Sequence, residues 1–299
     1  MAPSDLQFFL SRLRAAPGWS AHNVLDVRAG QAYRAGHLTG AASLPLEEAG
    51  DEWGTPEFLE RELPSIFLPP RHEPLLVIST RQEETDRLAA HLVGRDRATV
   101  TGLALSPEVV RELPDDLKEV GSAAHCLWKP PLWLVRHADL LPPPAAGPVL
   151  DLACGSGRAV VWLAERGYRV TGIDWQPEAL ALGSRLATSR QVTCRFLVGD
   201  LRDPAAVPAG PWAAVLNFRF RQPELLVRIP ALLRTGGVAM VRTFRSAPGY
   251  TGHPSSRHRL DPNELLRYFP AGSCEILAHE ESHDPDGRPA AGIVARKIT

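Results

Sequence analysis

The chain has 299 residues, enough for about two domains at roughly 150 residues each. Its 44% hydrophobic and 22% charged residues are those of an ordinary globular protein, which excludes disorder, collagen-like sequence and coiled coil as the main architecture. Thirty-three basic residues against 34 acidic ones leave a net charge of -1, so duplex nucleic acid is not an expected partner, because phosphate neutralisation needs clustered cations.

Met1 to Leu10 has no basic segment leading into an apolar core, and no stretch approaches the ~20 apolar residues of a membrane span, so no membrane partner and a cytoplasmic location are expected. Val24 to Val27 and Pro74 to Ile78 are predicted as short buried strands, and Glu83 to Val93 as an amphipathic helix. Leu140 to Pro148, LLPPPAAGP, is expected to be a stiff extended connector, since three consecutive prolines suit neither a helix nor a central strand. Beyond it strands and helices alternate: strands at Val149–Leu152, Val170–Ile173, Thr193–Val198, Ala213–Asn217 and Gly237–Thr243, helices at Ala159–Arg166, Pro177–Ala187 and Glu224–Leu233, the last bent or broken by Pro230. That alternation predicts a doubly wound parallel sheet. A helix over Pro262–Phe269, capped by Asp261, and a C-terminal β-hairpin around Asp284-Pro285-Asp286-Gly287 complete the chain.

Asp151-Leu152-Ala153-Cys154-Gly155-Ser156-Gly157 is a strand that ends in a carboxylate and turns through two glycines into a helix. Such a turn lets backbone N–H groups approach a ligand at the carboxyl edge of the sheet. Asp174 ends the next strand, where a carboxylate can accept protons from both ribose hydroxyls. A dinucleotide fingerprint wants a third small residue where Val160 stands, and Asp151 suits an ammonium better than a pyrophosphate.

These residues resemble class I S-adenosylmethionine-dependent methyltransferases, together with Gly199-Asp200 after the third strand and Leu233-Arg234-Thr235-Gly236-Gly237 before the fifth. The resemblance runs from about Cys126 onward and is nearest the small-molecule group that includes tellurite-resistance methyltransferases, partly through Leu127-Trp128-Lys129-Pro130. It implies S-adenosyl-L-methionine as cofactor, with Asp151, Ala153, Gly155 and Gly157 at its amino-acid part, Asp174 on the ribose, and Trp175, Asp200 and Leu201 around the adenine. Trp128 and Trp133, ahead of the first strand, either cap the cofactor or pack the core.

Asn217-Phe218-Arg219-Phe220 lacks the prolines that amino-directed DNA methyltransferases carry after their fourth strand. The loops on this face hold Arg219, Arg221, Arg257 and His258, which suggests a small anionic acceptor held by charge-assisted hydrogen bonds. His253, Tyr250 and Asn217 are the weak candidates for a catalytic group, needed only if the nucleophile carries a proton near neutral pH.

In the first half, Leu25-Asp26-Val27-Arg28 and Gly36-His37-Leu38-Thr39-Gly40-Ala41 resemble the rhodanese family over about residues 5 to 120. That family's chemistry needs a cysteine thiolate in the loop after the next buried strand, and here the loop reads Ser79-Thr80-Arg81-Gln82-Glu83. The expectation is a rhodanese-like α/β domain, residues 1–122, without sulfur transfer, serving to dock, gate or dimerise its neighbour or to bind an anion near Arg81. A methyltransferase domain over 123–299 follows it. The alternatives are a two-domain ligand sensor without turnover and a nicotinamide-dependent oxidoreductase.

No metal is expected. The four cysteines form no C-x-x-C, and His279-Glu280-Glu281-Ser282-His283, although it fits H-E-x-x-H, is predicted as a strand in which the two imidazoles stand about 13 Å apart.

Overall fold

The structure, a computed structural model, describes residues 5–16, 23–97, 99–122 and 125–299. It divides into two compact units, Met1–Lys129 and Pro130–Thr299. No helix among the described residues is long and apolar enough to cross a membrane.

The first unit runs α1 (Asp5–Ala15), β1 (Val24–Asp26), α2 (Gly30–Ala35), β2 (His37–Leu38), β3 (Ala42–Ser43), α3 (Pro56–Glu62), β4 (Leu75–Ser79), α4 (Gln82–Gly94), β5 (Val100–Ala104), α5 (Pro107–Glu112) and β6 (Lys118–Glu119). Its central sheet is parallel, in the order β3-β1-β4-β5. All five residues of β4 are buried, because helices cover a parallel sheet on both faces and leave no side for alternation. Leu76 and Ile78 pack with Phe9 and Leu13 on one face, and Leu75 and Val77 with Phe58 and Leu88 on the other. Thr55 and Ser106 cap α3 and α5 through side-chain oxygens, each followed by proline at the first helical turn. Of the boundary read at 122/123, Ala123 and Ala124 lie outside the described residues, as do Met1–Ser4 of the segment examined for a leader. The unit reaches Lys129 because Leu127 packs into its core and Lys129 Nζ bonds Glu73 at 2.5 Å.

The second unit runs α6 (Leu132–Arg136), β7 (Val149–Leu152), α7 (Arg158–Ala164), β8 (Val170–Asp174), α8 (Pro177–Ser189), β9 (Arg195–Val198), β10 (Trp212–Phe218), α9 (Pro223–Leu226), α10 (Ile229–Leu232), β11 (Leu233–Phe244), α11 (Glu264–Tyr268), β12 (Cys274–His283) and β13 (Pro289–Lys297). Seven strands form one sheet, β12-β13-β11-β10-β7-β8-β9. The five from β7 to β11 are parallel, and β13 is antiparallel to both β11 and β12. Strand order reverses between β7 and β10, and a fold of this Rossmann-like kind opens a crevice at the carboxyl ends of those two strands.

Three local expectations are corrected. The proline-rich stretch is no connector: Leu141 is buried in the second unit's core, Pro144–Ala146 makes a 3-10 turn, and the Pro142 carbonyl accepts from Tyr168 Oη at 3.0 Å. The helix read over 224–233 is two short ones, with Pro230 in the first turn of α10, where its missing N–H has no helical partner to lose. Asp261 does not cap α11; the Glu264 carboxylate instead reaches back to accept from the Asp261 N–H at 2.7 Å, and the helix starts at Glu264.

Candidate functional site

The crevice is built by the turn between β7 and α7. Ala153, Gly155 and Gly157 all take positive φ, 56°, 53° and 70°, so the turn coils tightly, with the Cys154 N–H donating to the Ile173 carbonyl and the Gly157 N–H to the Cys154 carbonyl. Gly157 is required twice over, since a Cβ there would also lie 2.6 Å from the Phe196 ring of β9. A Cβ on Gly155 meets nothing within 4 Å, which marks open space above the turn. Asp174, buried at the end of β8, braces the turn: one carboxylate oxygen accepts from the Gly155 N–H at 2.8 Å and the other from the Gln176 N–H at 3.0 Å. Each oxygen keeps a further lone pair for a ligand hydroxyl.

Asp151 is 2% exposed, and among the described residues no hydrogen bond or ion pair to its carboxyl is found; burial and the charge of Asp174 are what act on it. Burial, reinforced by the negative Asp174 nearby, pushes its carboxyl up to about 8. A buried carboxylate without a partner is costly, and a cation placed beside it would relieve that cost. The Cys154 thiol in the same turn is raised by burial and by both aspartates, so it is no nucleophile.

The other cofactor candidates differ in readiness. Trp175 follows β8 with its indole 62% exposed, free to lie on a flat ring. Asp200 is engaged by Arg202, whose Nη2 and Nε sit 2.6 and 3.0 Å from its Oδ2 and hold its carboxyl below the usual range. Leu201 is buried in the core and offers little surface.

At the ends of β10 and β11 lies a cavity of about 360 Å³ whose lining includes Arg202, Arg219, Phe220, Arg221, Phe244 and His258. Three sequence candidates, Arg219, Arg221 and His258, therefore meet in one place. Arg221 pairs with Glu264 at 2.8 Å, and Arg219 approaches Asp286 at 3.5 Å. Arg257 stands beside this wall: its carbonyl accepts from Arg221 Nη1 and its Nε meets His258 Nε2 at 3.0 Å. Tyr250 and His253 are absent from the lining, and the Tyr250 hydroxyl donates to the His253 carbonyl at 2.8 Å. Asn217 is fully buried in register with Leu152 and Val241, and neither of its amide atoms has a partner.

Sequence reasoning missed Gly172 on β8. A Cβ there would strike Val160 at 2.8 Å, so the strand supplies the close helix approach that a dinucleotide fingerprint takes from a small residue at position 160. A glycine inside a strand pattern is the signal that pointed to it. Arg242 and its contact with Trp133 were also missed, because the pairing joins distant parts of the chain.

In the first unit, the residues that carry the rhodanese resemblance are structural. Arg28 and Asp26 form a buried ion pair at 2.7 Å, and Arg28 also donates to the Gly36 and Leu105 carbonyls. The loop after β4 holds a carboxylate of the same chain. Thr80 N–H and Oγ1 donate to the Glu47 carboxylate at 2.6 and 2.7 Å, and Arg81 is taken by Glu84 at 2.5 Å. The protein's own carboxylates, Glu47 on Thr80 and Glu84 on Arg81, occupy these donors in the structure. In the second unit, His279 to His283 lies within β12, with Glu280 bonded to Arg136 at 3.1 Å.

Residues 149–237 match the profile of a family described as a methyltransferase domain. An uncharacterized protein of Schizosaccharomyces pombe is 24% identical over 92% of this chain and 93% of its own length. Demethylmenaquinone methyltransferase of Thermus thermophilus is 34% identical, over 39% of this chain and just over half (56%) of that enzyme. The crystal structure of TehB from Haemophilus influenzae superposes with a TM-score of 0.47 at 22% identity, covering 55% of this chain and 61% of that one. The residues present fit S-adenosyl-L-methionine: an unpartnered buried carboxylate for its cationic amino-acid head, open space over Gly155, and a braced Asp174 with spare lone pairs. The second unit thus carries an S-adenosyl-L-methionine-dependent methyltransferase domain.

Proposed function

We propose that the protein methylates a small anionic acceptor, and that the first unit is a rhodanese-like accessory without a catalytic thiol. The cavity at the ends of β10 and β11 supports this reading. Its volume of about 360 Å³ suits a small molecule, Phe220 and Phe244 give it apolar walls, and Arg219 and Arg221 bring positive charge to its rim. Asp151 would face the ammonium of the cofactor, the Gly155–Gly157 turn its methionine part, Asp174 the ribose hydroxyls, and Trp175 the adenine. Asp200 would reach the adenine amino group only on leaving Arg202.

The cofactor supplies a methyl group already activated by positive sulfur, so the chain's task is alignment and exclusion of water. An acceptor anion exchanges with Asp286 for Arg219 or with Glu264 for Arg221. His258, the imidazole in the cavity wall, takes the place of His253 as the group near an acceptor proton.

The test is transfer of labelled methyl across a panel of thiols, oxyanions and amines, with calorimetry of S-adenosylmethionine and S-adenosylhomocysteine. Asp174→Ala should weaken cofactor binding about 100-fold or more, since two hydrogen bonds to a charged group are lost. Turnover confined to amines refutes the anionic acceptor. Undiminished binding by Asp174→Ala refutes the assignment of the ribose site.

A further inference from the structure

One face of the sheet carries a polar cluster that the mechanism above does not use. Phe218 on β10, Arg242 on β11, Gly292 on β13 and Glu280 on β12 stand in one cross-strand row. Leu216, two residues before Phe218, is in register with Asp151, so this row shares Asp151's face and lies one step nearer the carboxyl edge. Two strand spacings and two residues of rise separate Asp151 from Arg242, roughly 12 Å, on the β10–β11 side that the nucleoside site leaves to the acceptor.

Trp133 of α6 lies over this row. A Cβ on Gly292 would meet its indole at 2.7 Å, so the glycine is the notch that seats the ring. The Arg242 guanidinium stacks 4.9 Å from the indole centroid, and His137 packs 4.1 Å from it on the same helix's end. Trp133 Nε1, Arg242 Nη1 and His137 Nε2 are all buried and have no hydrogen-bond partner. Unmet buried donors are costly: Trp133 Nε1 and Arg242 Nη1 are two of them, and His137 Nε2 is a third in its Nε2–H tautomer, so the cluster around the indole can receive an acceptor group.

The surrounding charge selects its chemistry. Arg242 Nε already donates to Asp284 and Nη2 to Ser282, at 2.8 and 3.0 Å, which leaves one donor edge, and Nη1 stays 3.9 Å from Glu280. Arg136, Arg219 and Arg242 face Glu280 and Asp284, while Arg288 pairs with Asp286 at 2.5 Å. One positive charge is thus in excess, which suits a monoanion with two oxygens. Arg219 and Phe244 link the cluster to the cavity: Arg219 approaches Asp284 at 3.6 Å, and Phe244 stands two residues beyond Arg242 on the same face.

We infer that Trp133, Arg242 and His137 form a carboxylate subsite that orients the methyl acceptor, a deepening of the proposed function and resting on it. Occupation requires α6 to shift, because the three donor atoms are sealed from solvent. The helix is five residues long, with Leu132 and Val135 half exposed.

The test uses full-length protein with ¹⁵N-labelled tryptophan, saturated with S-adenosylhomocysteine. The Trp133 indole signal is assigned by its loss in Trp133→Phe. Benzoate should move this signal downfield saturably, the neutral isostere benzamide should not, and Trp133→Phe and Arg242→Gln should each weaken benzoate about tenfold while binding S-adenosylhomocysteine as before. Arg242→Gln keeps the test open if Trp133→Phe fails to fold. A Trp133 signal unmoved by benzoate, moved equally by benzamide, or held by a resident water throughout overturns the subsite. Failure of S-adenosylhomocysteine to bind overturns instead the reading on which it rests.

Discussion

Asp151 gives the sharpest prediction, because its protonation is coupled to the ligand. With its carboxyl raised to about 8 by burial and Asp174, about nine-tenths of it is protonated at pH 7 and about one-tenth at pH 9. An ammonium beside it favours the ionised form and lowers its pKa by several units. Binding S-adenosylhomocysteine should therefore release most of one proton at pH 7. Calorimetry in phosphate and in Tris, whose ionisation enthalpies differ, reads that number as the slope of apparent enthalpy. Asp151→Asn has no proton to release, so its slope falls to zero while its amide still accepts a hydrogen bond. The same shift has a stability consequence: between about pH 4 and pH 8 the folded state holds a proton that the unfolded state has lost, so stability falls as pH rises through that window. Asp151→Asn should remove that fall, worth at most about 6 kcal/mol, and raise the melting temperature of the ligand-free protein at pH 8. A wild-type slope near zero at pH 7 with normal binding, or the same slope in Asp151→Asn, refutes the placement of the ammonium.

Two further outcomes follow from buried polar groups. Arg28→Met strands the Asp26 carboxylate and leaves the Gly36 and Leu105 carbonyls without their donor, so it should cost the first unit about 3–5 kcal/mol. Hydrogen exchange over Met1–Lys129 measures this, and a loss under about 1 kcal/mol shows that the pair is dispensable. Asn217→Leu removes two unpartnered amide atoms while keeping the branched four-atom outline, and should stabilise the second unit by about 1–2 kcal/mol in urea denaturation if the core takes up the larger methyl groups. Destabilisation of that size means that the amide is held by water or ligand.

The sheet of the second unit was legible because each of its buried strands is a short apolar run between turn signals, and Val149–Leu152 is read to the residue. The turn at Gly155 and Gly157 was legible because glycine is the residue that positive φ selects. Helix starts were less so. Asp261-Pro262 has the form of an N-terminus, yet Glu264 reaching back to Asp261, and its pairing with Arg221 from a distant loop, set the start two residues later. The prolines at 142–144 look like a spacer locally, and only the burial of Leu141 places them inside a core. Val160 argued against a dinucleotide site only until Gly172, on the neighbouring strand, is seen to make its room. The ion pair of Arg221 with Glu264 cannot be told from a free guanidinium in a sequence, because the partners are far apart along the chain, whereas Arg81–Glu84 and Arg202–Asp200 are local pairs that their spacing allows.

The seat of Trp133 on Gly292 has a temporal side. About 160 residues of chain separate the indole from its notch, and at typical synthesis rates the ribosome needs roughly 8 to 30 seconds to cover them. During that interval β7, β8 and the Gly155–Gly157 turn are already outside or leaving the tunnel, while the strand that anchors α6 does not yet exist. The strands proposed to hold the nucleoside are thus synthesised well before the last strand of the wall proposed to take the acceptor.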